Sequence, residues 1–207
     1  MAQEKTVVVS NTSPLISLLL IGKIEFFKRL FKKVLIPNEV YDEITLREQK
    51  TIVDHCIKKG WLVKCKTPKL PILHDLDKGE AFAISLALQY DKSLLIMDDR
   101  RGKELAESIG INVVGTIGIL LFAKKAKLIK DIKGLMDQLI KSNRWISKDL
   151  YFKAMQLAGE WFFEWAIIKF VFDQLAKYAK LVGSARDGAV TNYKLKRKKL
   201  LELTSGK

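Results

Sequence analysis

The chain has 207 residues, 48% of them hydrophobic, enough apolar material for one large domain or an ordinary domain with an appendage. Its 37 Lys and Arg against 23 Asp and Glu leave a net charge of +14, a field that attracts polyanions and points to RNA, DNA or an acidic protein as partner. Cys56 and Cys65 are too few for a disulfide framework, and no signal-peptide pattern opens the chain. Pro14 to Ile21 is too short to span a bilayer. Trp161 to Val182 is long enough but carries Glu164, Lys169, Asp173, Lys177 and Lys180, so the expectation is a cytoplasmic protein with no membrane segment.

The β-branched run Thr6 to Val9 reads as a strand ending at Asn11-Thr12-Ser13-Pro14, which caps an apolar helix. Val34 to Pro37 repeats the theme, with a helix from Asn38 to Ile44 and Glu43 about one turn into it. Trp61 to Lys64 reads as a third strand. Asp77-Lys78-Gly79-Glu80 has the pattern of a capping box opening a helix from Ala81 to Tyr90, and Ser93 to Met97 is a strand delivering Asp98 and Asp99 at its end. A helix from Arg100 to Gly110 and a last strand, Asn112 to Val114, follow. From Thr116 the pattern is helical to about Ala158, with breaks near Lys141 to Arg144 and at Ser147 to Asp149.

Beyond Gly159 the character changes. Lys169, Asp173, Lys177 and Lys180 share one narrow face of an otherwise aromatic and aliphatic helix, which needs a protein surface to cover it, either the sheet domain or a second copy of the chain. The basic stretch Tyr193 to Lys199 comes after. The chain divides into an α/β domain over residues 1–158 and a helical, basic extension over 159–207; up to Glu160 there are 27 basic against 19 acidic residues, and beyond it 10 against 4.

Short apolar strands alternating with helices predict a parallel sheet covered on both faces, in which ligands bind outside the strand carboxyl ends. Glu43, Glu80, Asp98 and Asp99 fall there, with Asn11 after the first strand. A divalent cation held for phosphodiester hydrolysis wants clustered hard oxygens, and an Asn in the set keeps one neutral oxygen but removes a unit of negative charge.

Four segments in this order resemble PIN-domain nucleases of the VapC toxin type, in a prokaryotic VapC-like branch: Val9 to Ile16, Leu35 to Ile44, Leu76 to Ala81 and Leu95 to Arg101. Gly115 to Leu121 also looks like that branch, so the likeness covers about residues 6–158, and nothing in Trp161 to Lys207 shares it. The resemblance implies a three-layer α/β/α sandwich and an endoribonuclease that hydrolyses single-stranded RNA with Mg2+ or Mn2+. It puts Asn11 where the family usually has its first Asp, with Glu43, Glu80 and Asp98 as the other ligands and Asp99 as a substitute or outer group. It assigns Thr12, Ser13 and Thr116 to hydroxyl positions that bond the site.

Each residue also has a plainer use. Asn11 and Glu80 suit helix caps, and Glu43 shares a solvated face with Glu39 and Asp42, although Val40 beside it turns to the core. Asp98 has little structural use when Asp99 is there to cap the next helix. His55 and His74 lack partners at metal-ligand spacing, and both cysteines read as buried thiols. Arg100, Arg101 and Lys103 could neutralise phosphate beside the site, and Lys194, Lys196, Arg197, Lys198 and Lys199 could hold RNA. Two other readings stay open: an RNA-binding or ribonucleoprotein component with weak or lost catalysis, and a protein whose apolar helix forms a homodimer or receives an antitoxin-like partner.

Overall fold

Strand residues that are apolar on both sides need two covers, and the chain supplies them. A computed structural model describes residues 6–67 and 76–160; the expected helix Trp161 to Val182, the basic run Lys194 to Lys199 and His74 lie outside them. The strands are β1 (Val7–Ser10), β2 (Val34–Pro37), β3 (Leu62–Cys65), β4 (Ser93–Ile96) and β5 (Asn112–Val114). The helices are α1 (Thr12–Leu20), α2 (Glu25–Phe31), α3 (Asn38–Asp42), α4 (Arg47–Lys58), α5 (Lys78–Ala87), α6 (Arg100–Ser108), α7 (Thr116–Lys125), α8 (Lys133–Lys141) and α9 (Lys148–Leu157).

All strand pairs are parallel, in the order β3-β2-β1-β4-β5. Alternate strand residues face opposite sides. Val8, Val34, Ile36, Leu62 and Ile96 join a large cluster with Leu15, Leu18, Phe27, Val53, Ile119 and Met136, so α1 to α4 and α7 to α9 cover that face. Val9, Leu35, Leu95 and Met97 pack with Ala83, Ile84, Ala87 and Ala106 of α5 and α6 on the other. Burying each large aliphatic side chain contributes about 1.5–3 kcal/mol, which makes this double cover the main source of stability. The α/β/α sandwich with a parallel sheet is therefore as expected.

The order of the strands decides where a ligand can bind. The chain runs outward from β1 to β2 and β3, then returns to the far side of β1 to lay down β4 and β5. This reversal opens a crevice at the carboxyl ends of β1 and β4. Asn11 and Asp98 stand there: the Asn11 N–H extends the ladder to the Ile96 carbonyl at 2.9 Å, and the Met97 N–H extends it to the Val114 carbonyl at 2.9 Å.

Several elements differ from the sequence reading. The helix expected from Asn38 to Ile44 is only α3, because the Ile44 N–H turns back to the Tyr41 carbonyl at 3.2 Å and leaves Glu43 as the capping residue rather than a mid-helix one. Helices α2 and α4 were not anticipated, nor was the break between α7 and α8. That break is closed by Lys127 in the left-handed region (φ 57), where sequence rules look for glycine. The stop at Lys141 to Arg144 is closed in the same way by Asn143 (φ 60).

At the start of α8 the capping position is Ile132, which has no polar side chain to offer, and Asp131 takes only the Gly134 N–H, at 3.3 Å. The first N–H groups of the helix are taken by Glu160, whose Oε1 accepts from Ile132 N at 2.7 Å and from Lys124 Nζ at 2.5 Å, and whose Oε2 accepts from Lys133 N at 3.0 Å. The side chain is 12% exposed, so these bonds work in a largely water-excluded place. Glu160→Gln removes the charge and leaves Lys124 without its partner, and should lower stability by about 1–3 kcal/mol. A thermal melt checks this, and an unchanged Tm would mean that the cluster contributes nothing net.

Candidate functional site

Glu43 leaves α3 with its carboxylate between two helix starts. Its Oε1 accepts from the Gly79 N–H at 2.7 Å and its Oε2 accepts from the Thr12 hydroxyl, so one side chain ties the beginnings of α1 and α5 together. Gly79 has to be glycine, because a Cβ there would fall on the Glu43 carboxylate. The expected capping box at α5 is only half made. Glu80 accepts the Asp77 N–H, but the Asp77 side chain makes no cap bond in return.

Asp98 is held the same way from β4. Its Oδ1 accepts from Thr116 N at 2.7 Å and its Oδ2 from the Thr116 hydroxyl at 2.5 Å, so it caps α7, whose own capping position is Gly115. Asp99 caps α6 through Gly102 N at 2.7 Å. Asp98 therefore has a structural use that the sequence reading denied it: it serves a helix 18 residues further on, while Asp99 serves the next one. Asn11 is 2% exposed; its Oδ1 accepts from Ser13 N at 2.9 Å, and its buried Nδ2 has no partner among the described residues. Ser13 thus contributes its main chain to the site, whereas Thr12 and Thr116 contribute hydroxyls.

Glu80 is where these charges meet. Burial, then the charges of Asp99 and Asp77, and more weakly that of Glu43, push its carboxyl up to about 7, and the Asp77 N–H only partly opposes them. Asp99, rather than Asp98, is its principal charged neighbour. Among the described residues no three His, Cys, Asp or Glu side chains close into a ready-made cage for an ion. The donor set nonetheless fits a hard cation. Mg2+ keeps several waters and is held by one or two carboxylates plus substrate phosphate, so a rim of oxygens that repel one another is sufficient.

The basic candidates separate. Arg100 pairs with Glu104 at 2.8 Å on an exposed face, and Arg101 is exposed. Lys103 turns inward toward Asp98 and Gly115. A further cluster lies on the β3 side, where Lys64 and Lys50 place their Nζ atoms 4.2 and 4.6 Å from the Tyr41 ring centre and Tyr41 donates to Asp54 at 2.7 Å. No local motif announces this group, because the pairing of β2 with β3 is what sets Lys64 beside Ile36. His55 is exposed, Cys56 is a buried thiol pushed up to about 11 mainly by burial, and Cys65 is partly buried.

The Glu80 environment gives a signed pH effect in metal-free buffer. Below about 4.5, its usual value, the carboxyl is neutral in both folded and unfolded chains; above about 7 the folded protein must carry a charge that the unfolded chain carries more easily. Wild-type stability should therefore fall relative to Glu80→Gln as pH rises from 4.5 through 7. Urea denaturation across that range checks it, and parallel curves for the two proteins would defeat the assignment.

Among the described residues no helix is long and apolar enough to cross a membrane. No curated protein matches the chain. Residues 7–160 match the family described as DUF3368, a PIN domain, which is a nuclease-type fold whose members typically bind divalent metals. With a parallel sheet, a switch-point crevice and carboxylates around it, the chain belongs to this PIN-domain family.

Proposed function

We propose that the chain is a metal-dependent endoribonuclease that hydrolyses single-stranded RNA. The observation that carries this reading is the carboxylate crowding around Glu80 at the switch point, which a divalent cation would relieve. Asp98, Glu80, Glu43 and Asp99 are the side chains that would hold Mg2+ or Mn2+. When bound, the ion would polarise the phosphate and lower the pKa of water. Thr116 and Thr12 keep Asp98 and Glu43 in fixed orientations, which reduces the reorganisation that binding requires. Glu80, with a carboxyl near neutrality, is suited to take the proton from an attacking water.

One observation favours the second reading, an RNA-binding protein with weak catalysis. The Asn11 oxygen is committed to the Ser13 cap and its other group is a donor, so this position adds no negative charge for a cation. A toxin-like role with an antitoxin-like partner, and a homodimer through Trp161 to Val182, are further proposals, which rest on the VapC resemblance and on the apolar sequence of that segment. Lys194 to Lys199 is proposed as an added RNA contact on its charge alone.

Two outcomes test the catalytic reading. Purified protein should cleave single-stranded RNA with Mn2+ or Mg2+, and chelation or Asp98→Asn should reduce the rate by about 100-fold or more. Full metal-dependent cutting by Asp98→Asn would sink the site assignment. Asn11→Asp keeps a good helix cap while adding a charge, and should tighten Mn2+ binding by on the order of tenfold, as read by calorimetry. Unchanged or weaker affinity would mean that residue 11 does not face the ion.

A further inference from the structure

Gly115 reveals a close approach at the crevice. A Cβ built on it would lie 2.8 Å from Lys103 Nζ, 2.9 Å from Asp98 Oδ1 and 3.5 Å from the Met97 carbonyl. The backbone there is extended (φ −95, ψ 176), a conformation open to any residue, so glycine is needed at this position for space rather than for its dihedrals. That space lets an ammonium from the first turns of α6 reach the carboxyl end of β4. Lys103 is half-buried; its main-chain N–H donates to the Asp99 carbonyl at 3.1 Å, while among the described residues its ammonium makes no hydrogen bond and no ion pair. Its neighbour Asp98 is bonded at both oxygens to Thr116 instead.

An ammonium that makes no ion pair with its own chain keeps its charge available to an anion entering the crevice. The crevice is otherwise lined by carboxylates, which repel RNA, so a substrate phosphate entering it needs a cation on the protein side. Arg100 and Arg101 do not serve, the first because it is paired with Glu104 at the surface and the second because it is exposed. We infer that Lys103, in the gap left open by Gly115, is the substrate-contacting cation of this site and binds an RNA phosphate beside Asp98. The inference rests on the nuclease reading for the identity of the anion. It goes beyond that reading in separating one basic residue from its neighbours and giving Gly115 a reason.

The test is binding of a single-stranded RNA oligonucleotide to the full chain in chelator, where metal-dependent hydrolysis cannot intervene, titrated with salt. Lys103→Met should weaken binding by about fivefold or more and flatten the slope of log K against log salt by about 0.7, the loss of one phosphate contact on a single strand. Lys103→Arg should keep both, and neither variant should weaken Mn2+ binding or lower Tm. Gly115→Ala should reproduce part of the loss, because the methyl displaces the ammonium while the backbone is unstrained. An unchanged affinity and slope in Lys103→Met overturns the inference, and so does an equal loss in Lys103→Arg accompanied by a lower Tm, which would mark a packing role. The two readings fail separately: wild type that cuts no RNA with any divalent ion, while Lys103→Met still loses the contact, counts against the nuclease alone.

Discussion

Carboxylates carried in from distant parts of the chain take N–H groups at the starts of three helices, and the remainder of the molecule is arranged around them. Glu43 takes an N–H of α5, Asp98 takes the first N–H of α7, and Glu160 takes two N–H groups at the start of α8. An uncapped helix start leaves donors unsatisfied and a partial positive charge, and both favour an anion. Each of these bonds therefore satisfies a helix start while joining two elements far apart in sequence.

This arrangement explains how so much negative charge collects at one end of a parallel sheet. N–H and hydroxyl donors hold Glu43 and Asp98 in place, and the Gly102 N–H does the same for Asp99. Glu80 has the Asp77 N–H, but its burial and the charges of Asp99, Asp77 and Glu43 push its carboxyl up to about 7. Three carboxylates are thus fixed in position by hydrogen-bond donors, and the fourth is the one pushed toward neutrality. That division of roles suits cation binding with proton transfer, since the fixed groups need no rearrangement and the fourth can change its charge near neutral pH.

Two features moderate that field. Asn11 stands at the switch point as a neutral cap with a buried donor that has no partner among the described residues, and Lys103 brings a positive charge beside Asp98. Both shift the crevice from a pure cation site toward one that also receives an anion. Single-stranded RNA is such an anion, and the net charge of +14 would draw it in from a distance.

The apolar runs Val7 to Val9, Val34 to Ile36 and Leu94 to Ile96 were legible as strands because a strand buried on both faces has no polar side to confuse the pattern. Strand ends are legible too, which is why the sequence puts Asn11, Asp98 and Asp99 at the carboxyl ends of β1 and β4. Helix ends were less so. Lys127 closes α7 in a left-handed conformation that composition does not announce, and α3 stops at Asp42 through a tightened turn. The caps depart from the sequence reading for a related reason: local rules pair a cap with the helix that follows it, but Asp98 skips α6 to serve α7, and Glu43 reaches α5 from 36 residues away while the Asp77 side chain makes no cap bond. The sequence by itself determined the parallel α/β class, the family pattern and the set of acidic residues, because these follow from periodicity and strand ends. Only the tertiary structure decided which carboxylate faces which, that Glu80 is the one brought near neutrality, and that Lys103 rather than Arg100 reaches the crevice, because each depends on the reversal of strand order between β1 and β4.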